Sequence, residues 1–492
     1  MNKHFTSIAA AALLACGCGQ QDRQGAMSAI IGAGAVAETL DSLSRKYPEA
    51  DTLLMRRGVE LTARFWLEQD GTADEFRAFC LASYLPHQRG ELQQRFADNL
   101  AAVNGGFGRM STQLQFAMHV ERGDLLPVDA TFAEWTPSAH LSDDWFANKL
   151  ALTLHLNFPY YGLEERNAQG MGWSAEAQAA ANLGQCFASR APEEVHRKAA
   201  TAEVRAEMYA MDYNIFMHHI VDAEGNRYFP EAMRLISHWG LRDELKSSYA
   251  DKTEQGRTKQ QLIYDLMLRI IAQDIPQEFI NAQGSDYCPA SNTLYRGGAP
   301  AATFAREPDT RYARLLDVFN AQRAADPYSP LYPNAITRAF DAGLEMTFGE
   351  VEALFKELLS SPVNKEVAAL IGKRLGRPLQ PYDIWYDGFK ARSAISEDEL
   401  TAATVKRFPN AAALNRQLPD LLQKLGFARA RAEELCSHIA VDAARGSGHA
   451  MGATMKGDTS RLRARIPAAG LDYKGFNIAV HEFGHNVEQT IS

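Results

Sequence analysis

His481, Glu482 and His485 form the pattern His-Glu-x-x-His in "HEFGHNVEQTIS", close to Ser492. On a helix, residues four apart share a face at about 6 Å, so both imidazoles can point at one ion. Zinc suits such a pair. Glu482 beside them is then the expected general base, taking a proton from water acidified by the metal and returning it to a leaving amine, which is the chemistry of peptide-bond hydrolysis. Val480, Phe483, Val487 and Ile491 fall on one stripe, which supports a helix and leaves the two histidines on a different face. Gly484 between them costs about 1 kcal/mol relative to Ala, so it marks either a close packing approach or simple tolerance.

A catalytic zinc takes three protein ligands plus water, and the motif supplies two. Glu488 follows His485 by three residues but sits about 10 Å along the axis from His481, and it reads as a solvated carboxylate. His218 and His219 are adjacent in "YNIFMHHIV" and diverge by about 100° on a helix. They read as hydrogen-bonded residues at the edge of a core. His449, in "GSGHAMG", can reach substrate or a transition-state oxygen from a loop, although loop histidines are more often structural.

The elements that must position these groups are mostly helices. "TFGEVEALFKELLSSP" opens on a capping box, Thr347 to Glu350, and puts Val351, Leu354, Phe355, Leu358 and Leu359 on one face, the pattern of an amphipathic core helix. Similar periodicity runs through "PEADTLLMRRGVELTARFWLEQ", "KQQLIYDLMLRIIAQDI" and "LPDLLQKLGFARARAEELCSHIAVDAA", so the expected fold is mainly α. Residues 281–310, rich in Gly, Pro, Ser and Asn, either separate two lobes or form a long surface loop. Just before the metal motif, "GSGHAMGATMKGDTSRLRARIP" alternates Leu462, Ala464 and Ile466 with Arg461, Arg463 and Arg465 around a Lys456-Gly457-Asp458 turn. That predicts a small β-hairpin beside the helix. Its arginines either meet an extended peptide bound as an added strand or face solvent and discourage edge pairing.

The ordered segments resemble the thimet oligopeptidase and oligoendopeptidase family of zinc peptidases. "GRPLQPYDIWYDGFKAR", residues 376–392, is similar to that family's L-x-P-W-D-x-x-Y-Y stretch, with Leu379, Pro381, Asp383 and Tyr386 in order and Tyr382 in place of Trp. A helical stretch ending in "LLQKLGF" and a Gly-rich hairpin then lead to "FNIAVHEFGH", so the resemblance spans roughly residues 310–492. It implies a helical, two-lobed gluzincin in which His481 and His485 hold Zn2+ and Glu482 is the base. It also implies a third ligand, a glutamate on a later helix beyond Ser492, so the chain is expected to be cut after the motif helix. Asn486-Val487-Glu488 departs from the family's Ala-x-His, which points to a divergent branch.

The first residues, "MNKHFTSIAAAALLACGCG", place Lys3 before an apolar run too short to cross a bilayer, as in a signal peptide. Leu13-Leu14-Ala15-Cys16 resembles the lipobox of bacterial lipoproteins, which makes Cys16 the expected lipidated residue and Cys18 the alternative. Gly17 carries no inner-membrane retention signal of the Asp type, so the expected location is the cell envelope, at the outer membrane or periplasmic face. A net charge of -9 over 492 residues without a long basic run excludes a nucleic-acid footprint. Cys80, Cys186, Cys288 and Cys436 lie too far apart in sequence for a compact disulfide scaffold and are expected to be free thiols. The expected organisation is a signal segment at 1–15, a lipid-anchored linker at 16–27, a helical region at 28–290 and a catalytic region at 310–492. The function this supports is zinc-dependent peptide hydrolysis by an exported lipoprotein, the alternative being a helical lipoprotein that binds a partner or metal without turnover.

Overall fold

Apolar residues recurring at three and four, with side chains that close the helix starts, set the architecture. Asp51 accepts from the Leu53 and Leu54 N–H groups to cap Thr52–Phe65, and Thr72 with Glu75 forms a capping box on Ala73–Ser83. Thr347 and Glu350 do the same for Phe348–Ser360. The computed structural model describes residues 30–231, 233–389 and 395–491 and is 63% helical with a few short strands, so the protein is mainly α. The signal segment, the linker and Cys16 with Cys18 lie outside the described residues.

The chain divides into two compact units, each assembled from three stretches. The first takes Met1–Ser111, Trp135–Glu203 and Leu315–Ser360, and the second Thr112–Glu134, Val204–Arg314 and Ser361–Ser492. The Gly- and Pro-rich stretch 281–310 belongs to the second unit. It holds a small antiparallel sheet of β3 (Ser285–Cys288), β4 (Thr293–Arg296) and β5 (Ala299–Pro300), the chain having already paired β1 (Asn214–Phe216) with β2 (Arg234–Ile236). Glu307, just beyond it, is buried and accepts from the Tyr213 hydroxyl at 2.6 Å and Gln273 Nε2 at 3.0 Å. Burial raises its pKa. Those bonds recover part of the desolvation cost of a buried carboxylate.

The site sheet follows, with β6 (Ile439–Ala443), β7 (His449–Met451) and β8 (Ser460–Ala464) in the order β6-β8-β7. β7 and β8 pair antiparallel, as the hairpin expectation requires, while β6 adds a parallel partner on the other side of β8. "IAVDA" is therefore a strand and not the end of a helix. The helix before it stops at Ser437, where a β-branched pair, Ile439 and Val441, meets an open strand edge.

The helix Phe348–Ser360 departs from expectation in another way. It forms, but none of its residues is buried, and Leu354, Phe355, Leu358 and Leu359 are all more than half exposed. Periodicity identifies a face that gains from being covered; it does not show that the chain covers it. Cys80, Cys186, Cys288 and Cys436 are all free, with Cys80 and Cys288 buried.

The core of the first unit gathers Phe65, Trp66, Phe76, Phe146 and Leu152. Arg190 forms a buried ion pair with Asp70 and lies 4.7 Å from the centre of the Phe146 ring. His155 is fully buried with its ring 4.6 Å from that of Phe65. Burial lowers its pKa from 6.5 to about 4, with the backbone of Cys186 and Phe187 opposing. Protonation therefore favours the unfolded chain: the stabilisation is complete above pH 6.5 and is lost as pH falls toward 4. Fluorescence-monitored urea unfolding should show wild type losing about 2 kcal/mol more than His155→Phe between about pH 7 and pH 5.

Candidate metal centre

The helix Tyr473–Ile491 begins on Asp472, whose Oδ1 accepts from the Gly475 N–H at 2.6 Å. Its buried residues are Ala479, Phe483, Asn486 and Val487. Phe483 and Val487 join a core with Leu435, Ile439, Leu462 and Ala464 from the preceding helix and the sheet. The expected stripe is thus half right: Val480 is half-buried and Ile491 is exposed, while the polar Asn486 takes a wholly buried place. The other face presents His481 and His485, both exposed, with ring centroids 5.0 Å apart and planes at 86°.

Two side chains one turn apart index this helix to the sheet. Glu482 is half-buried, and its Oε2 accepts from the Ala450 N–H of β7 at 2.8 Å. Asn486 donates from Nδ2 to the carbonyls of Met451 on β7 and Arg461 on β8, at 3.4 and 3.3 Å. Because β7 is an edge strand and the Ala450 N–H points to Glu482, the carboxylate sits along the edge that β8 does not cover. Gly448 permits the approach: a Cβ there would lie 3.0 Å from Ile478 Cγ2 and 3.3 Å from the Arg463 carbonyl. At Gly484, by contrast, a Cβ would meet nothing within 4 Å, so tolerance and not close packing explains that glycine.

The alternating arginines differ in burial: Arg465 is half-buried and Arg461 keeps 43% of its side chain exposed, but the middle one is inside. Arg463 is 1% exposed on the central strand, in register between Asp442 of β6 and His449 of β7. Its Nε lies 3.9 Å from Asp442 Oδ2, and Nε, Nη1 and that Oδ2 are buried without hydrogen bonds among the described residues. Burial lowers the pKa of both Arg463 and Arg465, with Asp442 opposing the shift for Arg463. Arg463 is therefore not solvent-facing, in contrast to the expectation, whereas Arg461 is partly so. Being the middle strand, β8 has no free edge to protect.

The other histidines singled out in the sequence make contacts within the protein. The ring of His449 lies 5.8 Å from that of buried His119, whose Nδ1 is 4.0 Å from Glu207 Oε1. His218 Nδ1 bonds the Phe229 carbonyl at 3.1 Å and His219 Nδ1 bonds Asp286 at 2.9 Å. Glu488 is 3.9 Å from His485 Nδ1 but 77% exposed. In the 376–392 stretch, Asp383 is buried and takes two bonds from Arg377, one from the Gln380 N–H and one from the Tyr249 hydroxyl, so here it fastens a turn.

His481 and His485 fit zinc as two of its ligands: imidazoles one helical turn apart, facing outward. Among the described residues no three His, Cys, Asp or Glu side chains converge on one point, so a third ligand is not supplied by them. Sequence reasoning missed Asn486 and Arg463. The available signal was a polar residue on a buried stripe, four places after Glu482, and an arginine opposite an aspartate across two strands. No family model, no curated protein and no solved structure matches the chain.

Two substitutions check this geometry. Gly484→Ala should stabilise the second unit by about 1 kcal/mol in urea unfolding, since it adds helix propensity without a clash. Asp442→Asn should cost about 3 kcal/mol by leaving Arg463 buried without its nearest counter-charge. A loss below about 1 kcal/mol would show that Glu207, which also acts on Arg463, carries the compensation.

Proposed function

We propose that this chain is a zinc-dependent peptidase carried on an exported lipoprotein. The observation that carries the reading is the joint placement of two outward imidazoles one turn apart and a carboxylate held between their helix and the edge of β7. His481 and His485 would hold the ion. Zinc bound there would supply Lewis acidity toward a peptide carbonyl and the attacking water. Glu482 takes the proton of the attacking water on a carboxylate oxygen and delivers it to the amine that leaves. The Ala450 N–H fixes the rotamer of that carboxylate, so proton transfer starts from a set position.

The reading as a lipoprotein rests on Cys16 and its flanking residues. No described helix is long and apolar enough to cross a membrane, so attachment would rest on lipid at Cys16. The second reading, a module that binds metal or a partner without turnover, is favoured by one observation: the described residues bring no third ligand to the histidine pair.

One set of variants separates the two. Purified chain should retain zinc in metal analysis, as should Glu482→Gln, while His481→Ala and His485→Ala should lose it. On a peptide library read by mass spectrometry, Glu482→Gln should reduce cleavage by about 10²- to 10⁴-fold. Zinc retention with no cleavage by wild type would instead favour the binding module. Replacing Cys16 with Ser should release the protein from the membrane fraction; continued attachment would count against lipid at that residue.

A further inference from the structure

A half-open cavity of about 220 Å³ lies in the first unit, lined by Asp51 and Leu54 at the start of the helix Thr52–Phe65 and by Pro86 and His87 of the turn Pro86–Gln88. The amide of Asn157 in its wall is spoken for: its oxygen accepts from the Leu85 N–H, and its nitrogen donates to the Ser83 and Thr153 carbonyls. Arg89 is different. Its guanidinium makes no hydrogen bond or ion pair among the described residues, its Nε is buried, and its carbon lies 5.6 Å from the centre of the Phe158 ring. A guanidinium carries five donors in a fixed fork and has no acceptor of its own; here the residue is partly exposed and its buried Nε is left without a partner.

Tyr84 is 6% exposed, lines the same cavity, and its hydroxyl makes no hydrogen bond among the described residues. Arg89 and Asp51, of opposite charge, line the cavity together with that hydroxyl. The acids are half used. Asp51 spends Oδ1 on the Leu53 and Leu54 N–H groups, at 2.8 and 3.0 Å, and Glu49 spends Oε1 on His87 Nε2 at 2.9 Å. The second oxygen of each is uncommitted among the described residues. Ala50, Leu54 and Pro86 complete a small apolar wall.

We propose that this cavity binds a free α-amino acid with a short aliphatic side chain. Arg89 and the Tyr84 hydroxyl take the carboxylate, Asp51 and Glu49 take the ammonium, and the apolar wall takes the side chain. Donors from Arg89 and Tyr84 and carboxylates from Asp51 and Glu49 line one cavity, the two kinds of group a zwitterion requires, and a site of this kind rejects analogues that leave its charges unmatched. The proposal stands independently of the metal centre.

Calorimetric titration of the purified chain with L-valine tests it. Saturable binding with a dissociation constant in the millimolar range or tighter is expected. Arg89→Gln should weaken it by at least about tenfold. Asp51→Asn, which keeps a capping oxygen and loses the charge, should do the same. If Arg89→Gln fails to fold, Arg89→Lys, which keeps the charge and loses the fork, serves in its place. Isovalerate, lacking the ammonium, and valinamide, lacking the carboxylate, should each bind at least about tenfold more weakly than valine. No saturable binding of valine, alanine or leucine at millimolar concentration overturns the proposal. So does undiminished binding in both charge variants, or isovalerate bound as tightly as valine.

Discussion

Phe483 and Val487 on the motif helix pack with Leu462 and Ala464 of the central strand, and the direction of every other side chain in the site depends on that burial. Each such side chain contributes about 2 kcal/mol when taken out of water, which is enough to fix the rotation of the helix about its axis. Rotation alone does not fix its position along the strands. Glu482 and Asn486 do that, because each bonds a named backbone group on the sheet. With rotation and translation both set, His481 and His485 must point away from the core, where an ion can reach them.

The sheet itself is held in register by an electrostatic constraint on its other face. Arg463 sits between Asp442 and His449. A slip of one residue would turn this guanidinium into the apolar core under the helix and bring Leu462 to the polar side. The buried charge is expensive, and its partner is near without being hydrogen-bonded. In exchange, mispaired arrangements of three short strands, one of them parallel, become far less favourable. The apolar face of β8 therefore carries the helix, while the polar face dictates which residues of β6 and β7 lie beside it.

Elsewhere polar groups do similar work of fixing geometry. Asp383, in the stretch that resembles the oligopeptidase family, is used up by Arg377, Gln380 and Tyr249, leaving no capacity for chemistry. Glu307 with Tyr213 and Gln273 braces the segment after the small β3–β5 sheet. In the first unit Arg190 and Asp70 form a buried pair against aromatic rings. These groups are satisfied inside the protein. That sets them apart from His481 and His485, and from Arg89 in the first unit.

The mainly helical fold was legible from apolar spacing and caps, because both are local: a helix start at Thr347 needs only Glu350 three residues on. The histidine pair was legible for the same reason, since four residues is one turn wherever the helix lies. Composition read the stretch at 281–310 as loop or linker, although it forms a sheet, because strand pairing joins residues through partners that local spacing does not name. The alternating arginines were read correctly as a strand, but Arg463 is buried where solvent was one of the expected surroundings. Alternation assigns residues to two faces; only the covering elements decide which face is wet. The helix Phe348–Ser360 shows the converse, an apolar face with no burial. By itself the sequence determined the helices, the hairpin and the two histidines with their glutamate, all set by contacts within a few residues. The tertiary structure alone decided that Arg463 is buried, that Asn486 pins the helix, and that Glu482 meets Ala450, because each depends on segments brought together only when apolar surface is removed from water.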